Sequence, residues 1–114
     1  MIEITILNYL MDGLPHPIFM EEPIEEEQPD KYYLLEKTGS GQNDMLYNST
    51  LALQSIAPTL DEVIAMNDAA KILMRDAIML DDVTRVRVKS DYNYPDTQEK
   101  RYRYQAVFDL VHYF

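Results

Sequence analysis

The clearest periodicity in the chain lies between Thr59 and Met79. Thr59-Leu60-Asp61-Glu62 matches a capping box, in which the threonine oxygen accepts from an amide three residues on and the glutamate reaches back. Leu60, Val63, Ile64, Met66, Ala70, Leu73, Met74, Ala77 and Ile78 then recur at helical spacing. Asp61, Asp68, Lys71, Arg75 and Asp76 fall on the other side, which predicts an amphipathic helix. A shorter helix is predicted over Met1 to Asp12, where Ile2, Ile6, Tyr9 and Leu10 share a face and Gly13 can end it. The β-branched run Ile4-Thr5-Ile6 keeps a strand open as the alternative there. Pro15, Pro17, Pro23 and Pro29, with the like charges of Glu25-Glu26-Glu27, oppose helix and predict an extended surface connection with a short strand at Pro17 to Met20.

Strand patterns fill the rest. Lys31 to Lys37 reads as a strand, and Thr38, Gly39, Ser40, Gly41, Gln42, Asn43 and Asp44 are a run of turn formers that predicts a mobile hairpin loop. Leu46 to Ala57 returns as a long strand that Pro58 closes. After Asp81-Asp82, Val86, Val88, Tyr92 and Tyr94 alternate with Arg85, Arg87, Lys89 and Asp91. Beyond a turn at Pro95-Asp96-Thr97-Gln98, Tyr102, Tyr104, Ala106, Phe108, Leu110 and Phe114 alternate with Arg101, Arg103, Gln105 and Asp109. The order αβ(β)βαββ predicts one α+β domain over residues 1–114, an antiparallel sheet with helices packed on one face.

Composition narrows the function classes. At 114 residues with 46% hydrophobic content, the chain can bury a single core. No apolar run approaches the roughly 20 residues of a membrane span, the start lacks a signal peptide's features, and there is no cysteine. A soluble cytoplasmic protein is the expectation. The net charge of −10 sets nucleic-acid binding at an electrostatic disadvantage. That charge is unevenly placed. Glu3, Asp12, Glu21, Glu22, Glu25, Glu26, Glu27 and Asp30 face no lysine or arginine within residues 1–30, whereas Arg85, Arg87, Lys89, Lys100, Arg101 and Arg103 outnumber Asp91, Asp96 and Glu99.

Candidate chemistry is sparse. His16 and His112 have no ligand at helical spacing, so a surface or core histidine is the simpler reading of each. A Ser–His–acid triad could be spread through the chain, but no nucleophile elbow is present. Lys37 precedes the glycines of Glu36-Lys37-Thr38-Gly39-Ser40-Gly41, the reverse of a phosphate-binding loop. Asp91, Asn93 and Asp96 begin like a calcium loop, but Asp96 holds the glycine position and Tyr102 the glutamate position. The expectation is no catalysis, no cofactor, no metal and no small-molecule substrate.

The most distinctive feature is the cationic ladder of the last two strands. It can be a solvated face, a nucleic-acid surface, or a partner for acids, and the chain itself supplies acids in residues 21–30. Head-to-tail packing would set Arg85, Arg87, Arg101 and Arg103 of one copy against Glu25, Glu26 and Glu27 of the next, and such heterologous contacts can close into a ring.

Four segments carry a family resemblance: Glu36 to Gly39, Leu53-Gln54-Ser55-Ile56-Ala57-Pro58, Asp91 to Thr97, and Lys100 to Asp109. Together they resemble the small tail-completion, or tail-terminator-like, proteins of siphophages and prophages of Gram-positive bacteria. The resemblance implies a subunit of a ring, commonly a hexamer, that ends polymerisation of the tail tube and docks to head–tail connector proteins. DNA would pass through the lumen as cargo, the Thr38 to Asp44 segment would contact the tail tube protein, and assembly in the host cytoplasm would precede residence in the virion tail. A head–tail joining protein is the nearest alternative, and an acidic DNA-mimic inhibitor is the alternative from another class.

Overall fold

In the computed structural model, which describes residues 1–93 and 101–113, the threonine half of the capping box forms, and Glu62 reaches back to the Thr59 hydroxyl. Thr59 Oγ1 accepts from the Glu62 amide at 3.3 Å and donates to Glu62 Oε1 at 2.7 Å, opening helix α2 (Leu60–Asp76). A 3₁₀ turn over Ala77–Met79 tightens its last residues. The start of the chain is also helical: α1 (Ile2–Gly13) buries Ile2, Ile6 and Leu10, one every four residues, while Ile4 stays exposed. Packing of that stripe overrides the strand preference of the β-branched run. Gly13 has no positive φ and so is not a left-handed cap. A Cβ there would lie 2.5 Å from Leu73 Cδ2, so the glycine serves the close approach of α1 to α2.

Five strands make one sheet in the order β1-β2-β3-β5-β4, with β1 (Ile18–Phe19), β2 (Tyr32–Asn43), β3 (Leu46–Ala57), β4 (Val83–Asn93) and β5 (Tyr102–Tyr113). The element order matches the expectation, and the class is α+β. The sheet is mixed rather than wholly antiparallel, because β1 runs parallel to β2. Residues 20–31 return the chain to the end of the sheet where β1 began, so both strands start there. At about 3.3 Å per residue, strands of 12 residues set the long dimension of the 45 × 24 × 24 Å molecule.

Both helices cover one face. Val63, Met66, Ala70, Met74 and Ala77 join the α1 stripe over Tyr33, Leu35, Leu51, Leu53, Ala106, Phe108 and Leu110. Leu60, Ile64 and Ile78, expected on the buried face of α2, are exposed, because the stripe that meets the sheet is narrower than the apolar arc.

Two segments depart from the sequence reading. Thr38 to Asp44 is not a loop. After a bulge at Thr38, Gly39 to Asn43 continue β2 and pair with Thr50 to Leu46, leaving the reversal to Asp44 and Met45, with Asp44 at φ 57°. The continuous ladder offered by β3 outweighs the local turn preference. In β4, bulges at Thr84 and Lys89 reset the alternation. Asp91 therefore sits on the helix face, accepting from Asn67 Nδ2 at 2.8 Å and pairing with Lys71 Nζ, instead of sharing a face with Arg85 and Arg87. Tyr92 moves correspondingly off the core face. The expected places of Tyr94, the Pro95 to Gln98 turn, Lys100 and Phe114 lie outside the described residues.

Candidate assembly interface

The face opposite the helices is built around a small apolar cluster of Phe19, Tyr32, Leu34 and Ile56. The acidic segment between β1 and β2 lies against it and is pinned by a chain of hydrogen bonds that crosses the sheet. Gln105 Nε2 donates to Tyr92 Oη at 2.5 Å, and Gln54 Nε2 donates to Gln105 Oε1 at 2.8 Å. Arg103 Nη1 donates to Gln54 Oε1 at 2.8 Å, while its Nη2 donates to Glu22 Oε1 at 2.8 Å. Tyr32 Oη closes the row by donating to the same carboxylate oxygen at 2.5 Å. Networks of this kind orient every member they satisfy. Burial, and then the bond to Glu22, push the Tyr32 hydroxyl up to about 12. Arg101 Nη1 donates to the Pro29 carbonyl at 3.0 Å, and Gln28 Nε2 folds the segment on itself by donating to the Pro23 carbonyl at 3.0 Å.

This changes the standing of the predicted charged residues. Arg103 is 8% exposed, and with Arg101 it binds the acidic segment of its own chain. The acid–base contact expected between copies is, for Arg103, made in cis with Glu22, while Arg101 is taken up by a backbone carbonyl of the same segment. Arg85, Arg87 and Lys89 remain exposed on β4, the outermost strand. Glu25, Glu26 and Glu27 form an exposed 3₁₀ turn. Among the described residues none of these six makes an ion pair within 4.0 Å.

Among the described residues no ion pair joins the two groups inside one chain. Arg87 and Arg85 sit opposite Asp109 and Val111, which lie about 20 and 26 Å along β5 from Arg103. The Glu25–Glu27 turn follows Glu22, which touches Arg103, by three to five residues, so the chain ties it to that end of β5.

Other features of the molecule hold polar groups in place. Ser49 Oγ and His112 Nε2 lie 2.8 Å apart, and the imidazole stacks on Tyr47 at 5.9 Å. At 3% and 2% exposure the pair joins β3 to β5 inside the sheet. Its members are far apart in sequence, so no spacing announced it. A groove of about 520 Å³ lies above it, between the start of α1 and the outer part of the β2–β3 hairpin, with Met1, Glu3, Lys37 and Tyr47 in its walls. Lys37 Nζ is 3.9 Å from Glu3 Oε1, and Gly39 and Gly41 lie in the strand ladder, so the segment with phosphate-loop composition has no such geometry. His16 packs its ring 6.4 Å from that of Tyr33. The hydrogen bond from Lys31, then that from Thr59, holds the Glu62 carboxyl below its usual range, and Asp91 raises the Lys71 ammonium.

Among the described residues no three histidine, aspartate or glutamate side chains gather closely enough to hold a metal ion, and no helix is long and apolar enough to cross a membrane. No protein-family model matches the chain, and no curated protein matches its sequence.

Proposed function

We propose that this chain is a structural subunit that assembles head to tail into a ring, and that the ring closes the head-proximal end of a siphophage tail tube. The observation that supports the assembly is the separation of two oppositely charged features, without ion pairs among the described residues, on one elongated domain: the Glu25–Glu27 turn and the Arg85, Arg87 and Lys89 edge of β4. A contact between one copy's turn and the next copy's edge uses different surfaces on the two partners, so it repeats until the rotation closes. The resemblance of the Lys100 to Asp109 and Leu53 to Pro58 segments supports the setting. There the ring, a hexamer, meets the tail tube protein on one side and head–tail connector proteins on the other, with DNA as passing cargo, first in the host cytoplasm and then in the virion.

In this setting the Thr38 to Asp44 segment is the outer end of β2 at one end of the sheet, and it contacts the tube through the exposed Met45 and the turn at Asp44. A head–tail joining role uses the same lateral contact and differs in the ring that is bound. The exposed cationic strand argues against a DNA mimic, which would present acids. Native mass spectrometry of the chain, alone and with tail tube protein, tests the proposal. Closed rings of one multiplicity that bind the tube are expected; a stable dimer in both conditions, with no tube binding, contradicts it.

A further inference from the structure

We infer that the groove beside Arg85 and Arg87 is a carboxylate-binding site whose occupant is the Glu25–Glu27 turn of a second copy, an inference that rests on the head-to-tail reading above. The groove holds about 300 Å³ and is walled by Asn48, Arg85, Arg87, Asp109 and Val111. Strand register explains its composition: Arg85 lies opposite Val111, which lies opposite Asn48, and Arg87 lies opposite Asp109, which lies opposite Thr50. Two arginines therefore line the groove, Arg85 opposite Val111 with the Asn48 carboxamide beyond it and Arg87 opposite Asp109. The bulge at Thr84 is fastened by its Oγ1 donating to the Val111 carbonyl at 3.0 Å, which fixes where Arg85 emerges.

Asp109 is the acid within reach, and it is engaged elsewhere, accepting from Thr50 Oγ1 at 2.8 Å. Among the described residues neither arginine has an ion-pair partner within 4.0 Å, so both planar forks keep donors for a bidentate carboxylate. With about three residues per turn, a 3₁₀ turn fans three successive glutamates in three directions. Two of them can straddle arginines spaced about 7 Å apart along a strand.

The test uses the full chain with Glu25, Glu26 and Glu27 changed to Gln as receptor, and a synthetic peptide of residues 20–30 as probe. On titration, amide and side-chain NMR signals of Asn48, Arg85, Arg87 and Val111 should shift together. Arg87→Gln should weaken binding at least tenfold, and Lys31→Gln, on the other side of the molecule, should not; circular dichroism confirms that each variant is folded. Failure of the peptide to bind while the wild-type chain still forms rings overturns this site and leaves the ring standing. Binding without rings keeps the site and removes the ring. Displacement of the peptide by a short DNA duplex at equal concentration overturns the choice of occupant.

Discussion

Replacing Arg103 with alanine removes the centre of the hydrogen-bond row that clamps the acidic segment onto the sheet. Arg103 is 8% exposed and donates to both Gln54 and Glu22. A hydrogen bond to a charged group contributes about 1.5–3 kcal/mol, and Gln54, itself 8% exposed, is left short of a donor. The Glu22 side chain is 40% exposed, however, so water re-solvates it and its share of the loss is discounted. A destabilisation of about 2–3 kcal/mol results, equivalent to a fall in Tm of roughly 8–12 °C for a domain of this size. Urea denaturation of Arg103→Ala, Glu22→Gln and the double variant measures it, with the midpoint falling at unchanged slope. Because the two side chains touch, the double variant should lose about 1 kcal/mol less than the sum of the singles. A loss for Arg103→Ala below about 0.5 kcal/mol, or simple additivity, would refute the clamp.

Three further outcomes follow from the local chemistry. Thr59→Ala removes the cap of α2 and should cost about 1 kcal/mol in chemical denaturation, an effect that Thr59→Ser should largely spare. Glu62 has its carboxyl held below the usual 4.5 by Lys31, so its stabilisation is complete above that value and fades as pH falls below it. Glu62→Gln should flatten acid unfolding in that range, and an unchanged profile would count against the Lys31 contact. The Tyr32 and Tyr33 hydroxyls ionise near 12 rather than 10, so the stability they contribute holds below 10 and is lost as pH rises from 10 towards 12. Ultraviolet titration should show a late-ionising fraction that shrinks in Tyr32→Phe; equal ionisation of all nine tyrosines near 10 would show the assignment to be wrong.

How far the fold could be read in advance varied by element, and the reasons are physical. The capping box and the α2 stripe were legible because their signals are local, a side chain reaching three residues and a repeat of 3.6. The alternation in β5 held because that strand pairs on both sides without a bulge. Lys89 misled because an inserted residue changes the face of everything after it, and nothing in Val88-Lys89-Ser90 marks a bulge. Thr38 to Asn43 misled because turn-forming composition states what a segment tolerates, whereas its pairing is decided by β3. Of the candidate interface, the sign and sequence position of the charges were legible. Which arginines were consumed in cis was not, since Arg103 and Glu22 meet only after the chain has crossed the sheet.

A charge-swap mixing experiment bears most directly on head-to-tail assembly. One variant carries Arg85, Arg87 and Lys89 changed to Glu, and the other carries Glu25, Glu26 and Glu27 changed to Lys. Each variant alone opposes like charges at every lateral contact, so each should run as a monomer in native mass spectrometry. Mixed in equal amounts they restore complementary pairs, acidic turn to basic edge and basic turn to acidic edge, and rings with the two variants alternating should appear. Wild-type-like assembly of either variant alone, or a mixture that stays monomeric while the wild-type chain forms rings, would contradict a ring held by these two surfaces.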